Sequence, residues 1–314
     1  MRGLILGFAL NSQGQRLTPR QMAVSRFISH KAAVISCFIL LILTLFVILA
    51  PFTARYGVNQ SVQLPPNSFL SPRAKAWLGT DDIGRDLYSR LIYGVRVSLM
   101  IGLVSAIVSV TIGALVGSIA GFRGGRFDDI VMRITDLFLA FPFLVTLLIV
   151  RNVLGAISWI KPLTGEMNSV RFIIILFSIF GWMSVARIVR GQVLSLKERE
   201  FIEAARAVGA SRRFIIRQHL IPNSIGPIMV SLTFSVVGAI TAESTLAFFG
   251  YGPQAGEGAT SLGILVGAAK GAVQTGYWWL AVFPCLTLVV ISLSINFIGD
   301  ALRDATDTQL DRGA

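Results

Sequence analysis

Apolar runs of about 20 residues recur along the chain, and they restrict its fold more than any other feature. A run of this length can cross the hydrocarbon core of a bilayer as a helix. Backbone groups in lipid have to be paired internally, which leaves helices or a closed barrel. The runs are continuous rather than alternating, which favours helices over barrel strands. We therefore predict an all-α polytopic membrane protein with six transmembrane helices, at residues 32–52, 97–120, 134–151, 171–189, 225–250 and 277–299.

Composition supports the same class. The chain has 314 residues, of which 54% are hydrophobic and 14% charged, and a mean hydropathy of +0.72. A soluble domain of this length carries about 25% charged residues. Residues 4–10 form a short apolar run without a small-residue cleavage site after it, so we predict a membrane-surface segment there rather than a signal peptide.

The basic residues predict the orientation. A net charge of +12 can indicate nucleic-acid binding, but the charge is scattered and no RNA-binding motif accompanies it, so nucleic acid is not an expected partner. With the N-terminus inside, most of the 28 Lys and Arg fall in cytoplasmic segments, as the positive-inside rule requires. Both termini are then cytoplasmic. The predicted layout is a cytoplasmic segment 1–31, a first span 32–52, an extracytoplasmic segment 53–96, a five-helix core 97–300 that contains the polar loop 198–222, and a cytoplasmic tail 301–314.

Two parts of this layout carry more local predictions. From Asp81 onward, Ile83, Leu87 and Leu91 follow helical spacing, which predicts an amphipathic helix on the outer membrane surface. Pro142 and Pro284 lie inside the third and sixth spans, where we expect a static kink in preference to a hinge.

The polar, basic loop 198–222 predicts a helix, a sharp turn and a second helix. Its apolar stripe repeats at helical spacing. Gly209 suits a helix C-cap, and Ser211 can cap the second helix. Pro222 is expected to end it. The stripe consists of Phe201, Ala204, Ala205 and Val208. Glu203 is spaced to pair with Arg206 or with Arg199. From the residues alone, a solvated or lipid-facing loop remains an alternative.

This loop resembles the EAA loop of ABC-transporter permeases. The matching residues are Glu203, Ala204, Ala205, Gly209, Ile221 and Pro222. Three further segments resemble the C-type permeases of the oligopeptide/dipeptide/nickel group, namely 78–99, 136–142 and 243–250. Together the matches cover about residues 30 to 305.

The resemblance implies a permease subunit of an ATP-driven importer in a bacterial plasma (inner) membrane. It implies as partners a homologous second permease, two cytoplasmic ABC ATPases, an extracytoplasmic binding protein and membrane lipid. ATP and Mg would be used by the ATPases, and this chain would bind no cofactor. Oligopeptides or dipeptides are the expected cargo, with nickel or another small solute as the alternative. The residues implied to contact the ATPase are Phe201, Glu203, Ala204, Ala205, Arg206, Gly209, Ser211 and Pro222.

Two carboxylates lie in predicted spans, where an ionised side chain costs about 2.5–3.5 kcal/mol on insertion scales. For Asp136, water or Arg133 could satisfy the charge, and an end-of-helix role is favoured over a pathway role. Glu243 is expected to face the bundle interior, where it either pairs with another span or lines the substrate route near an outer gate.

Catalytic signatures are missing from the sequence. No phosphate-binding loop of the P-loop kind occurs, and His30 and His219 lack metal-ligand spacing. Cys37 and Cys285 both fall in apolar runs, so neither a disulfide framework nor a metal cluster is expected. We therefore expect a non-catalytic subunit. An ion-driven secondary transporter, the contrasting interpretation, would predict several midspan carboxylates and inverted repeats.

Overall fold

The computed structural model describes residues 19–62, 68–166, 169–253 and 260–306, and the predicted surface segment 4–10 lies outside them. The described residues are mainly helical, with three isolated β-bridges. In chain order the helices are α1 Pro19–Ser29, α2 Lys31–Ile48, α3 Ala50–Thr53, α4 Leu87–Arg123, α5 Gly125–Ala140, α6 Phe143–Ala156, α7 Lys161–Thr164, α8 Val170–Leu196, α9 Glu200–Ala207, α10 Arg212–Ile215, α11 Ile221–Asn223, α12 Ile225–Phe248, α13 Leu262–Gln274 and α14 Trp279–Thr306.

Helices α2, α4, α8, α12 and α14 are each long and apolar enough to cross a membrane. The bent pair α5 and α6 makes a sixth span if the two helices count as one. The predicted all-α membrane fold is therefore confirmed, with one span built differently from the expectation.

That span breaks at Pro142. Helix α5 ends at Ala140, α6 begins at Phe143, and the two axes differ by 101°. Phe141 is extended, with φ −87° and ψ 147°, which is the conformation that a following proline imposes. The expected kink is thus a full corner. Pro284, by contrast, lies inside an uninterrupted α14.

The prediction of an amphipathic helix that begins at Asp81 is wrong. Gly84 has φ +79°, and an isolated bridge joins Thr80 to Asp86, so this stretch folds as turns. Asp86 then caps α4 by accepting from the Ser89 N–H at 2.8 Å. Leu87 is 1% exposed and packs in the bundle rather than on a membrane surface. The predicted second span and the residues before it form one helix of 37 residues.

Helices α4 and α8 share the most extensive contact of any two helices in the described part of the chain. A Cβ placed at Gly113 would lie 2.6 Å from the carbonyl oxygen of Trp182, and one at Gly117 would lie 2.4 Å from that of Ala186. Neither position has room for a side chain. These small residues therefore serve helix packing within this subunit.

The bundle has two ends, which we name by their contents. The hairpin end carries residues 199–224, between α8 and α12. The opposite end carries the start of α4 and of α14, where Trp279 Nε1 donates to the Thr80 carbonyl oxygen at 3.2 Å. Helix α13, which the sequence analysis missed, packs there against α4, α12 and α14. Its 13 residues are too few to cross a bilayer.

An ionic cluster folds the segment before α4. The Asp81 carboxylate accepts from Arg85 Nε at 2.7 Å and from Arg90 Nη1. Both Asp81 and Arg90 are buried, at 5% and 6% exposed. Asp82 is largely exposed. The cluster therefore fixes this segment to the first turn of α4.

Candidate functional site

The hairpin at residues 199–224 has the predicted turn. Helix α9 ends in a motif in which the Gly209 N–H donates to the Arg206 carbonyl at 2.9 Å and the Ala210 N–H donates to the Ala205 carbonyl at 3.0 Å. Gly209 has φ +81°, the left-handed geometry that this motif requires. Ser211 Oγ accepts from the Phe214 N–H at 3.3 Å and caps α10. The C-cap and N-cap predictions are confirmed.

Pro222 does not end the second helix. Ile216–Leu220 form a π-helical turn, and helical geometry continues through Pro222 to Asn223. Ile221, the residue before the proline, is itself helical, with φ −61° and ψ −48°. A π turn is wider than an α turn, so it offers a place for a residue that cannot donate a backbone hydrogen bond. The break before α12 comes at Ser224, with φ −100° and ψ 5°.

The hairpin has one buried face and one exposed face. Ile202, Ile215 and Leu220 are at most 1% exposed and pack against α4 and α8, with Ala205 partly buried beside them. Ala205 therefore belongs to the inner face, not to the outer stripe.

The outer stripe is open to solvent. Phe201 is 40% exposed and Val208 85%, and Ala204 between them is also exposed. Buried anchors fix the hairpin to the bundle, so this apolar stripe is presented on a rigid support.

The predicted ion pair of Glu203 is absent from the part of the chain that the structure describes. The Arg206 guanidinium instead lies 5.2 Å from the ring centroid of Phe122, near the end of α4. Glu203 is exposed. His219 packs between two rings of the hairpin, 6.1 Å from Phe201 and 5.8 Å from Phe214. Arg206 thus ties the hairpin to α4, and the Glu203 carboxylate is accessible.

A cavity of about 1290 Å³ extends from the hairpin end into the bundle. It exceeds the 300–1,000 Å³ of most small-molecule sites. Its walls come mainly from α8 and α12, with smaller parts of α4 and α14, and it reaches Ala242 on α12. The hydroxyl-bearing lining residues include Ser105, Ser109, Ser184, Ser231 and Ser235. Among the described lining residues, Arg303 is the one with a full charge.

Glu243 lies just beyond the cavity, and it is 0% exposed. Ser98 Oγ of α4 donates to its Oε2 at 2.9 Å, and Ser261 Oγ donates to its Oε1 at 2.5 Å. It faces the bundle interior and bonds to another span, as one of the two expectations had it. It does not line the cavity.

Asp136 has a different partner from the expected one. It pairs with Arg187 on α8, not with Arg133, and both side chains are about half exposed. Asp128 lies nearer the start of the same helix, α5. Its buried carboxylate accepts from Arg190 Nε at 2.5 Å and from Arg190 Nη2 at 2.7 Å. Two ion pairs therefore hold α5 against α8. The sequence analysis missed Asp128, because no local spacing relates it to α8.

Family models match most of the chain. Residues 113–312 match the family described as "Binding-protein-dependent transport system inner membrane component". Residues 18–72 match the "N-terminal TM domain of oligopeptide transport permease C". The chain belongs to this family of transport permeases. The membership in the oligopeptide/dipeptide permease family that the sequence resemblance implied is confirmed.

Two relatives show how far the likeness extends. This permease is 35% identical to the dipeptide transport system permease protein DppC of Bacillus subtilis, over 97% of this chain and 93% of that protein. It is 38% identical to the oligopeptide transport system permease protein OppC of Escherichia coli K12, over 91% and 90% of the two chains.

The fold also has a solved counterpart. A chain of the MetNI methionine ABC transporter in an inward-facing conformation aligns with a TM-score of 0.54 and 22% identity. The alignment covers 69% of this permease and 96% of that chain. At this identity the likeness concerns the fold.

Proposed function

We propose that this permease forms half of the route through which an ATP-driven importer moves oligopeptides or dipeptides. The relatives DppC and OppC support the cargo. The observation that carries the mechanism is the hairpin, whose inner face is anchored in the bundle and whose apolar outer stripe is open. An exposed apolar stripe on a rigid support suits a protein partner better than it suits water.

The hairpin is the proposed contact for an ABC ATPase. Glu203 offers a free carboxylate beside the stripe, and the small Ala204 allows a partner surface to come close. Gly209 and Ser211 fix the angle between α9 and α10 through the two caps. Arg206 and Pro222 would act without touching the ATPase. Arg206 holds the hairpin to α4, and Pro222 lies in the segment that joins the hairpin to α12. Movement of the ATPase would then move this end of the bundle as a rigid unit.

The cavity is the proposed route of the cargo. Serine hydroxyls can both donate to and accept from peptide amide groups, and the near absence of charge among the described lining residues suits peptides of varied sequence. Nickel or another small solute remains the alternative cargo. Neither Asp136 nor Glu243 would contact the cargo along this cavity: Asp136 is paired with Arg187, and Glu243 is bonded to Ser98 just beyond the lining.

The wider assembly follows from the same reasoning. The hairpin end, rich in exposed arginine, would face the cytoplasm, with both termini on that side. Two ATPases that use ATP and Mg would bind there, one on this permease and one on a homologous second permease. An extracytoplasmic binding protein would deliver peptide to the opposite end. Exposed apolar side chains of α2 and α5 suit lipid or the second permease. The site of action is the bacterial inner membrane.

Uptake in cells with and without the gene tests the cargo. We expect loss of labelled dipeptide or pentapeptide uptake and unchanged nickel uptake. Loss of nickel uptake alone would replace the peptide proposal with the metal alternative.

A pair of substitutions tests the contact with the ATPase. Val208→Glu places a charge on the stripe at a position that is 85% exposed, and Ile83→Glu does the same at a position that is 45% exposed at the opposite end. We expect the first to stay in the membrane without its ATPases, and the second to keep them on co-purification. Normal ATPase recovery with Val208→Glu would show that the stripe is not the contact.

A further inference from the structure

The N-terminus of α13 is bound by a buried carboxylate from another helix. Glu243 Oε1 accepts from Ser261 Oγ at 2.5 Å. Ser261 is the N-cap of α13 and accepts from the Ile264 N–H at 3.1 Å. Side-chain acceptors at this end of a helix are stabilising, because the first N–H groups lack partners within the helix.

Helix α4 joins the same network. Ser98 Oγ donates to Glu243 Oε2 at 2.9 Å and accepts from the Leu262 N–H at 3.0 Å. Glu243, Ser98 and Ser261 are all fully buried. The first turn of α13 is therefore fixed to α4 and α12 at once, mostly by polar contacts that involve one carboxylate.

Close packing confines this turn further. A Cβ placed at Gly263 would lie 2.6 Å from the Ser244 Cα, and one placed at Gly94 would lie 3.1 Å from the carbonyl carbon of Ser261. The backbone of α13 thus sits wedged between α4 and α12.

This wedge lies where the cavity ends. The cavity runs up from the hairpin end and reaches Ala239 and Ala242 on α12. The next residue is Glu243, with no exposed surface. The cavity lining therefore stops at Ala242 on this side, and the buried network around the start of α13 begins at the next residue of α12.

The rest of α13 is less confined. Lys270, Val273 and Gln274 are exposed, and nothing lies within 4 Å of a Cβ placed at Gly271. Its inner face packs through Leu265 and Ala272 on α4 and α14. Helix α13 is thus hydrogen-bonded at its first turn and exposed along one side towards its end. A short helix of this kind can move away from α4 and α12 once the bonds at its first turn are released.

We propose that Glu243 is a positioning residue that latches the first turn of α13 to α4 and α12 where the cavity lining stops, so that α13 serves as the gate at the opposite end. The inference rests on the proposed transport function. Cargo arriving at the opposite end has to pass this layer, and release of the hydrogen bonds at the start of α13 would open it without unfolding a span. Glu243 then controls access instead of contacting peptide.

The test uses the whole transporter, reconstituted with its second permease and ATPases. Glu243→Ala removes the latch and Ser261→Ala removes one of its donors. Ser244→Ala is the matched control, since this neighbouring buried hydroxyl has no hydrogen-bond partner in the part of the chain that the structure describes. Ala269→Cys, at a position 5% exposed on α13, reports opening by its rate of maleimide labelling once Cys37 and Cys285 are replaced.

We expect Glu243→Ala to raise the labelling rate about tenfold, as a population shift towards an open gate requires. ATP hydrolysis without binding protein should rise while uptake per ATP falls. Ser261→Ala should act in the same direction with a smaller effect, and Ser244→Ala should match the unaltered transporter. A purely structural role would lower hydrolysis and uptake together.

Wild-type labelling and hydrolysis in Glu243→Ala would overturn the latch. Should that variant fail to assemble, Ser261→Ala decides the matter: unchanged labelling rejects the proposal and faster labelling supports it. The proposed function is judged separately, by whether the unaltered transporter takes up peptide with ATP and binding protein. Labelling of Ala269→Cys does not depend on that result.

Discussion

The two ends of the bundle treat charge in opposite ways. At the hairpin end, Arg212, Arg213 and Arg217 are exposed, and Glu203 stands in solvent. At the opposite end, Asp81, Arg90 and Glu243 are buried and bonded within the chain. The exposed side chains at the hairpin end keep their contact with water, whereas the buried ones at the opposite end need hydrogen bonds that offset its loss.

This difference separates two tasks. Exposed charges beside an apolar stripe are free to meet another protein, where they can steer association and fix its orientation. Buried charges bonded to one another specify a local arrangement of the same chain. In the proposed function the exposed charges of the hairpin end meet a partner, whereas the buried charges of the opposite end hold segments of this chain in place.

Asp81→Ala should give the largest effect, because it leaves Arg90 buried without its carboxylate. Breaking a buried pair in this way costs about 3–5 kcal/mol. We expect a sharp fall in folded protein, measured as thermal unfolding in detergent. Asp82→Ala, at the exposed neighbour, should change little. Equal losses in the two variants would remove the contrast between buried and exposed charge.

Asp128→Asn tests whether burial or position in the bundle determines the loss of stability. Asp128 lies towards the hairpin end but is buried against Arg190. Loss of charged hydrogen bonds predicts about 1.5–3 kcal/mol of destabilisation. Asp136→Asn breaks the exposed pair with Arg187 and should cost about 0–1 kcal/mol. If chemical denaturation ranks Asp136→Asn as the more damaging, burial is not the deciding factor.

Gly209→Val and Gly276→Val compare the same turn at the two ends. Both glycines follow a helix, with φ +81° and φ +85° and a matching pair of backbone hydrogen bonds. A side chain in this region costs about 1–2 kcal/mol. Unfolding should therefore shift similarly in both, but only Gly209→Val should release the ATPases on co-purification. Release by Gly276→Val as well would break the comparison.

Arg206→Ala should have the smallest effect. The contact with Phe122 at an exposed site contributes about 0.5–1 kcal/mol. We expect slightly faster hydrogen exchange across α9 while the rest of the bundle is unchanged. Arg213→Ala, an exposed position on the same hairpin, serves as the control and should leave the exchange of α9 at its normal rate.

Short-range rules predicted the parts of the molecule that depend on neighbours in sequence. Gly209 and Ser211 were predicted as caps because the hydrogen bonds of each cap join residues at most five positions apart. The same reasoning failed at Asp81–Asp86, where helical spacing was present but a left-handed Gly84 and the Asp86 cap give turns.

Contacts between distant residues could not be predicted in this way. The side chains that contact Glu243, Asp128 and Arg206 lie on other helices. The spacing of residues along the sequence does not identify such contacts. Helix α13 was missed because its length suits neither a span nor a loop, and its position depends on Ser98 and Glu243. The sequence offered one signal, the carboxylate of Glu243 within an apolar run. It predicted a hydrogen-bonding residue on another helix but not which residue that is.

The length of α4 has a mechanical consequence. Its 37 residues correspond to about 55 Å, well beyond the roughly 30 Å of a hydrocarbon core. One continuous rod thus joins the Asp86 cap to the Phe122 ring beneath Arg206. A displacement at one end of the bundle can therefore be carried along α4 to the other end without passing through a loop, and the hairpin touches this helix through Arg206 and Phe122.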